Sequence, residues 1–365
     1  MKLSVSVFLL LFVCISLSAQ HNSTVNVIAY YSGGPENVER IAAKKLTHII
    51  FSFGHLKGNI FSIGSKRDST TIQKLVQLKK TNPQLKIILS LGGWGGCQSC
   101  SDVFSSADAR NEFAVSVLKT SQYFKTDGLD LDWEYPSIQG YPEHPFKPED
   151  KNNFTALIQE LRNILGSSYE ISFAAGGFQK FIDESVDWKA IMPLLDRVNL
   201  MTYDLVHGYS TETGHHTALY STLQQHESTD NAVTSLIKLG VPANKLVIGA
   251  AFYGRMWENV SSENNGLYRS GKFKQGVDYK NLNAEINPAK GFTYYWDDVA
   301  KAPYQYNAEK KLYFTYDDKK SIALKTKYAI EHKLDGIMFW ELGCDLETDG
   351  LLDAISKANL PQKNR

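Results

Sequence analysis

DGLDLDWEY, residues 127–135, crowds three aspartates and a glutamate among Leu129, Leu131 and Trp133. On a strand the side chains alternate, so Gly128, Asp130, Asp132 and Glu134 share one face and Leu129, Leu131 and Trp133 the other. In a closed barrel the apolar set would pack on surrounding helices. The acidic set would then line the axis, rising from Asp130 in the interior to Glu134 at the mouth. Three carboxyls at two-residue steps, about 7 Å apart, cannot all be charged cheaply in a dry interior. At least one is expected to hold a proton, because like-charge neighbours raise a carboxyl's pKa.

Working outward, seven further short runs have strand character: residues 25–34, 46–54, 85–93, 169–177, 196–204, 245–254 and 334–342. Between them lie amphipathic stretches such as TIQKLVQLKKT, ARNEFAVSVLKTSQYF, EDKNNFTALIQELRNIL, NAVTSLIKLG and KSIALKTKYAIEHK, whose apolar residues recur at three- and four-residue steps. Alternation of near-continuously apolar strands with helices implies parallel pairing and burial on both faces. The choice is between an open doubly wound sheet and a (β/α)8 TIM barrel, and eight units favour the barrel. The spacing breaks once. Residues 258–318, rich in Tyr, Asn and Gly, follow the seventh strand, and so long a segment is expected to be a small inserted domain between strand 7 and helix 7, because structureless connections beyond about 15 residues are uncommon.

Lys and Arg balance Asp and Glu at 39 each, which gives no footprint for nucleic acid or an anionic membrane. Lys2, the apolar run from Leu3 to about Leu17, and then Ser18 and Ala19 form signal-peptide architecture. The expectation is a signal peptide over 1–20, a catalytic barrel over 21–365, and a secreted mature chain that is monomeric and free of membrane. Cys14 falls within the apolar run. Cys97 and Cys100 form a C-x-x-C that reads either as a short-loop disulfide or as a free pair; a structural zinc would need four ligands, which the neighbourhood lacks. Cys344 is left as a buried thiol. Sequons occur at Asn22, Asn153 and Asn259.

Two plainer readings of the acidic strand compete. An ion-pair network wants Arg or Lys at strand ends, and few stand there. A calcium loop wants flexible alternating ligands followed by Gly and a later Glu, whereas these acids sit on a stiff apolar strand. The remaining reading is a proton-handling device, since a carboxyl kept protonated near neutral pH can protonate the leaving oxygen of a glycosidic bond.

DGLDLDWE resembles the DGxDxDxE signature of glycoside hydrolase family 18, the chitinase family. Ser90 to Gly93 in LSLGGW resembles its third-strand element, MTYD (201–204) its sixth-strand motif, YGR (253–255) its seventh and FWE (339–341) its eighth; TGHHTALY (213–220) resembles the stretch after strand six. The likeness runs from about Val25 to the C-terminus. The segment after strand seven resembles the α+β insertion of one subgroup.

That resemblance implies a retaining hydrolase of β-1,4-linked N-acetylglucosamine in which the substrate's own acetamido oxygen attacks, forming an oxazolinium intermediate. Glu134 matches the general acid and base. Asp132 matches the residue orienting the acetamido group, Asp130 the inner member sharing a proton with it, and Tyr203 the phenol on the acetamido oxygen. Asp204 matches a residue setting the acid's proton affinity, and Trp340 the floor beneath the sugar. Tyr31, Phe53, Gly93, Trp94, Tyr135, Met201, Tyr253 and Arg255 are expected substrate contacts. Trp257 and Trp296 read either as sugar platforms or as core. His207, His215 and His216 are assigned to loop hydrogen bonding, with no metal and no cofactor. Cis peptide bonds are implied at Ser52–Phe53, Glu134–Tyr135 and Trp340–Glu341. The rival readings are a chitin lectin that has lost the acid, against which Glu134 stands, and an endo-acting enzyme on N-linked glycans, which usually lacks the long insertion.

Overall fold

The structure, a computed structural model, describes residues 24–361. The expected leader, Cys14 and the Asn22 sequon lie outside the described residues. Eight parallel strands close on themselves: β1 (Asn26–Tyr31), β2 (His48–Lys57), β4 (Lys86–Gly92), β5 (Gly128–Asp132), β6 (Glu170–Gly176), β7 (Arg197–Met201), β8 (Leu246–Ala251) and β14 (Gly336–Trp340). The pairing of β1 with both β14 and β2 completes the ring, so the fold is a (β/α)8 barrel. A short strand missed by the sequence reading, β3 (Ile60–Ser62), folds back on the end of β2 as a hairpin.

The five amphipathic stretches form helices, at Lys66–Gln77, Ala107–Phe124, Asp150–Leu165, Thr229–Lys238 and Lys319–Glu331. Four of the five starts are fixed by side chains that occupy the first unpaired amides: Ser65 accepts from Asp68 N, Ser106 from Ala109 N and Ser228 from Asn231 N, while Asp318 and Ser321 make a reciprocal capping box. Each helix lays its apolar face on the outside of the barrel, where Leu129, Leu131 and Trp133 are buried with Phe113, Phe154 and Leu157. A second, smaller set fills the axis: Ile28, Tyr30, Ile50, Ile88, Ala174, Met201, Tyr203, Val247 and Met338. Strand parity therefore separates two cores.

Between β8 and the Lys319–Glu331 helix stands a five-stranded antiparallel sheet: β9 (Tyr253–Glu258), β10 (Lys272–Asp278), β11 (Thr293–Asp297), β12 (Ala302–Asn307) and β13 (Leu312–Thr315), in the order β10-β9-β13-β12-β11. Its first strand begins five residues before the boundary expected at 258. The run at 245–254 is not one strand but two: Phe252 N donates to Trp340 O as the last bond of the barrel, and from Tyr253 the chain pairs antiparallel with β10. Tyr253 and Arg255 are thus delivered by the inserted sheet.

Candidate active site

Asp130 sits at the bottom of the site, fully buried, and accepts four hydrogen bonds: from Ser172 Oγ (2.7 Å), Ser90 Oγ (3.0 Å), Tyr30 OH (3.0 Å) and Asn199 Nδ2 (3.0 Å). The donors come from four other strands and meet Asp130 because the parallel register places Ser90 and Ser172 beside it. Burial drives its pKa up, and the four donors oppose that rise. No Lys, Arg or His pairs with Asp130, Asp132 or Glu134 among the described residues, which disposes of an ion-pair network on this strand.

Asp132 and Glu134 follow at the same parity. Burial, then the neighbouring Glu134 and Asp130 carboxyls, push the pKa of Asp132 well above its ordinary value. Its Oδ1 is buried without a hydrogen-bond partner among the described residues. Glu134, 9% exposed, is raised to about 8, chiefly by burial and further by the charge of Asp204, with the Tyr135 hydroxyl opposing. A carboxyl so placed carries its proton at neutral pH and can give it to a leaving group.

The close approach of β4 to β5 depends on Gly92, whose φ is +110° and where a Cβ would lie 2.2 Å from the Asp132 carbonyl oxygen. At Gly93, φ +81°, a Cβ would meet the Phe53 ring at 2.4 Å. Phe53 in turn stacks on Trp340, centroids 5.7 Å apart and 16° between planes, and Tyr30 tilts against the same indole at 5.9 Å. Trp340 is half-buried and forms an aromatic floor at the end of β14. The three peptide bonds expected to be cis, Ser52–Phe53, Glu134–Tyr135 and Trp340–Glu341, are cis.

Tyr203 belongs to the axial cluster with Met201 and stands edge-on to Tyr253 at 6.3 Å. Its pKa is raised by burial and then by Tyr253, Asp132, Asp204 and Glu134, so the hydroxyl lies among the acids and remains protonated. Among the described residues that hydroxyl meets only Met338 Sδ, at 3.9 Å. Asp204 adopts a left-handed φ of +56° and is bonded by Arg255 Nε, with His216 Nδ1 at 3.5 Å. Although burial would raise it, its pKa is held well below the usual carboxylate range by His216 and Arg255.

Several expected contacts stand elsewhere. Tyr31 is 2% exposed and turns into the helix-side core, its hydroxyl donating to Gly34 O (2.6 Å); the inward residue of β1 is Tyr30. Trp257 is fully buried in the inserted sheet, its indole N–H donating to Ser210 O (3.0 Å), and is core rather than platform. Trp296 lies on edge strand β11 with Lys320 Nζ 3.5 Å from its ring centroid. Tyr135 is wedged between Phe178 and Phe181, with part of its surface on the axial cluster. Trp94, by contrast, is half exposed and edge-on to Tyr141 at 5.4 Å. Cys97 and Cys100 form a disulfide, and Cys344 is a half-buried free thiol. The sequence reading passed over Tyr30, Ser172 and Asn199 as Asp130's partners; their parity on strands already recognised was the available signal.

The comparisons fit this geometry. The model of the glycosyl hydrolases family 18 matches residues 26–345. Chitinase A1 of Niallia circulans is 35% identical over 314 residues, which cover 80% of this chain and 44% of the relative, so the chain spans less than half of that protein. Among solved structures, a family 18 N-acetylglucosaminidase from Paenibacillus barengoltzii is 38% identical with a TM-score of 0.83, covering 92% of this chain and 99% of the other. A chitinase from Bacillus thuringiensis is 28% identical with a TM-score of 0.87, covering 94% and 71%.

Proposed function

The chain belongs to glycosyl hydrolases family 18, and from that premise we propose that it is a secreted, monomeric chitinase acting on polymers or oligomers of β-1,4-linked N-acetylglucosamine. The reaction is retaining and substrate-assisted. Glu134 protonates the glycosidic oxygen; the 2-acetamido oxygen attacks the anomeric carbon from the opposite face, and the leaving sugar departs with Glu134's proton. Glu134, now a carboxylate, takes a proton from the water that opens the oxazolinium.

The observation that carries this reading is the graded acid ladder: Asp130 satisfied by four donors, Asp132 with an unpartnered Oδ1, and Glu134 holding a proton up to about pH 8. Asp132 Oδ1 is free to accept the acetamido N–H. Tyr203's hydroxyl, without an oxygen or nitrogen partner among the described residues, is free to donate to the acetamido oxygen. Trp340 offers a ring face to the apolar side of the pyranose. Phe53, Gly93, Trp94, Tyr135, Met201, Tyr253 and Arg255 complete the walls in this reading. No helix among the described residues is long and apolar enough to cross a membrane.

A second reading, release of single N-acetylglucosamine units from chain ends, has one support, the likeness to the Paenibacillus enzyme of that description. Incubating the purified mature chain with chitohexaose and following product masses and anomers over time tests both. Early mixed oligomers in the β anomer are expected; monosaccharide alone selects the second reading, and no hydrolysis overturns both.

A further inference from the structure

His216 is the one imidazole among the described residues whose two ring nitrogens are both buried without a hydrogen-bond partner. Its ring is wholly enclosed. Yet its place is tightly fixed. Its own N–H donates to Thr315 Oγ1 (3.2 Å), its carbonyl accepts from Leu205 N (3.0 Å), and its ring tilts on Tyr253 at 5.3 Å. The next residue, Thr217, is locked by a buried ion pair: Lys325 Nζ bonds Thr217 Oγ1 (2.5 Å) and Asp317 Oδ2 (2.7 Å), and Thr217 Oγ1 donates to Thr202 O (3.1 Å), one residue before Tyr203. Asp317 Oδ2 also accepts from Ala251 N at the end of β8 (3.1 Å). The framework that aims His216 is therefore the same one that holds the ends of β7 and β8.

What the ring faces is Asp204, with Nδ1 3.5 Å from Oδ1, a long contact made effective by low dielectric. A lone pair facing a carboxylate would repel it, so Nδ1 carries the hydrogen and Nε2 is bare. The charged and titratable groups around the ring are Asp204 from the β7 loop, Arg255 and Tyr253 from β9, and Asp317, just past the last strand of the inserted sheet, with its partner Lys325 from the Lys319–Glu331 helix. Burial keeps the imidazole neutral near pH 7.

We propose that His216 is a positioning residue for the hydrolytic site: its Nδ1–H fixes the Asp204 carboxylate and keeps it charged in acid, and so sets the acid limit of activity. The link to activity rests on the glycosidase reading above. Arg255 alone leaves Asp204, a third exposed and held at a left-handed backbone angle, with one partner. His216 supplies the second from the dry side. Burial raises Glu134 most and an ionised Asp204 adds to that rise; once Asp204 takes a proton in acid, both its pull on Glu134 and its ion pair with Arg255 are lost.

The test is the pH profile of kcat/KM on a methylumbelliferyl chitobioside for wild type, H216L and H216N, with thermal melts confirming the fold. In H216L the acid limb is expected to move up by roughly half a pH unit or more, while the alkaline limb stays. H216N places an amide nitrogen where Nδ1 stood and is expected to restore the limb. An unmoved acid limb in folded H216L, or an H216N profile that matches H216L, overturns the proposal. A wild type that hydrolyses nothing sinks the glycosidase reading instead. The tautomer can then still be read directly: imidazole nitrogen chemical shifts are expected to show Nδ1–H, and Nε2–H overturns the assignment without any substitution.

Discussion

The Tyr30 hydroxyl reaches across the barrel axis from β1 and donates to Asp130 Oδ2 at 3.0 Å. Asn199 Nδ2 touches both partners, at 3.2 Å from Tyr30 OH and 3.0 Å from Asp130 Oδ1, so three strands are tied through one carboxylate. Tyr30→Phe removes a single donor and no ring volume. The loss of a hydrogen bond that leaves a buried acceptor short of a donor is expected to cost about 1–3 kcal/mol, read as a lower urea midpoint at unchanged slope. An unshifted midpoint would mean that Asp130 does not depend on Tyr30.

Glu134→Gln tests the acid by two independent readings. Turnover on chitooligosaccharide should fall by about two to four orders of magnitude while binding persists, since shape remains and only the proton donor is lost. Stability should move the other way. In the unfolded chain Glu134 ionises near its ordinary value of 4.5, but in the fold it keeps its proton to about 8. The wild type's stability therefore falls as pH rises through that window, because the unfolded state is favoured by ionisation there. The glutamine variant escapes that fall. At pH 4 the two should melt alike, and at pH 8 the variant should be more stable by more than about 1 kcal/mol, close to a tenfold change in the folding equilibrium. Equal stability at pH 8 would contradict the raised pKa.

Tyr203→Phe separates catalysis from folding. The hydroxyl has only the weak Met338 Sδ contact to lose, so the unfolding free energy should change by less than about 0.5 kcal/mol. If the phenol donates to charge developing on the acetamido group, kcat should drop by about a hundredfold or more with KM little changed. A variant with wild-type kcat would remove Tyr203 from the reaction.

The barrel was legible because each stave repeats one signal, an apolar run of strand length followed by a helix-period stretch, and because parity on residues 127–135 distinguishes two burial environments. The same rule read Asp130, Asp132, Glu134, Met201 and Tyr203 as axial, and all five lie on the axis side. Where it failed, adjacent residues were alike. Tyr30 and Tyr31 are both tyrosines, so composition did not say which faces in. At 245–254 an unbroken apolar run hid the switch from parallel to antiparallel pairing at Phe252, because a strand at a barrel mouth and the first strand of a packed insert are both buried. The His216 contact with Asp204 is twelve residues apart in the chain and depends on how a loop returns, which no local period encodes.

Two tryptophans give the contrast that closes this site. Trp257 and Trp94 have the same side chain, but one is enclosed with Tyr304, Tyr306 and Tyr313 in the inserted sheet, and the other is 50% exposed beside Tyr141 at the mouth of β4. Trp257→Ala opens a cavity in a small core and also leaves Ser210 O without its donor, so it is expected to destabilise the protein by about 3–5 kcal/mol. Trp94→Ala gives up only an exposed edge-to-face pair, worth about 0.5–1.5 kcal/mol. Its effect should fall on saccharide binding, as a several-fold weaker Kd for chitotetraose in the Glu134→Gln background, measured by calorimetry. If Trp94→Ala bound normally while Trp257→Ala kept its Tm and lost affinity, the two roles would have to be exchanged, and the inserted sheet rather than the β4 loop would be the wall that the sugar meets.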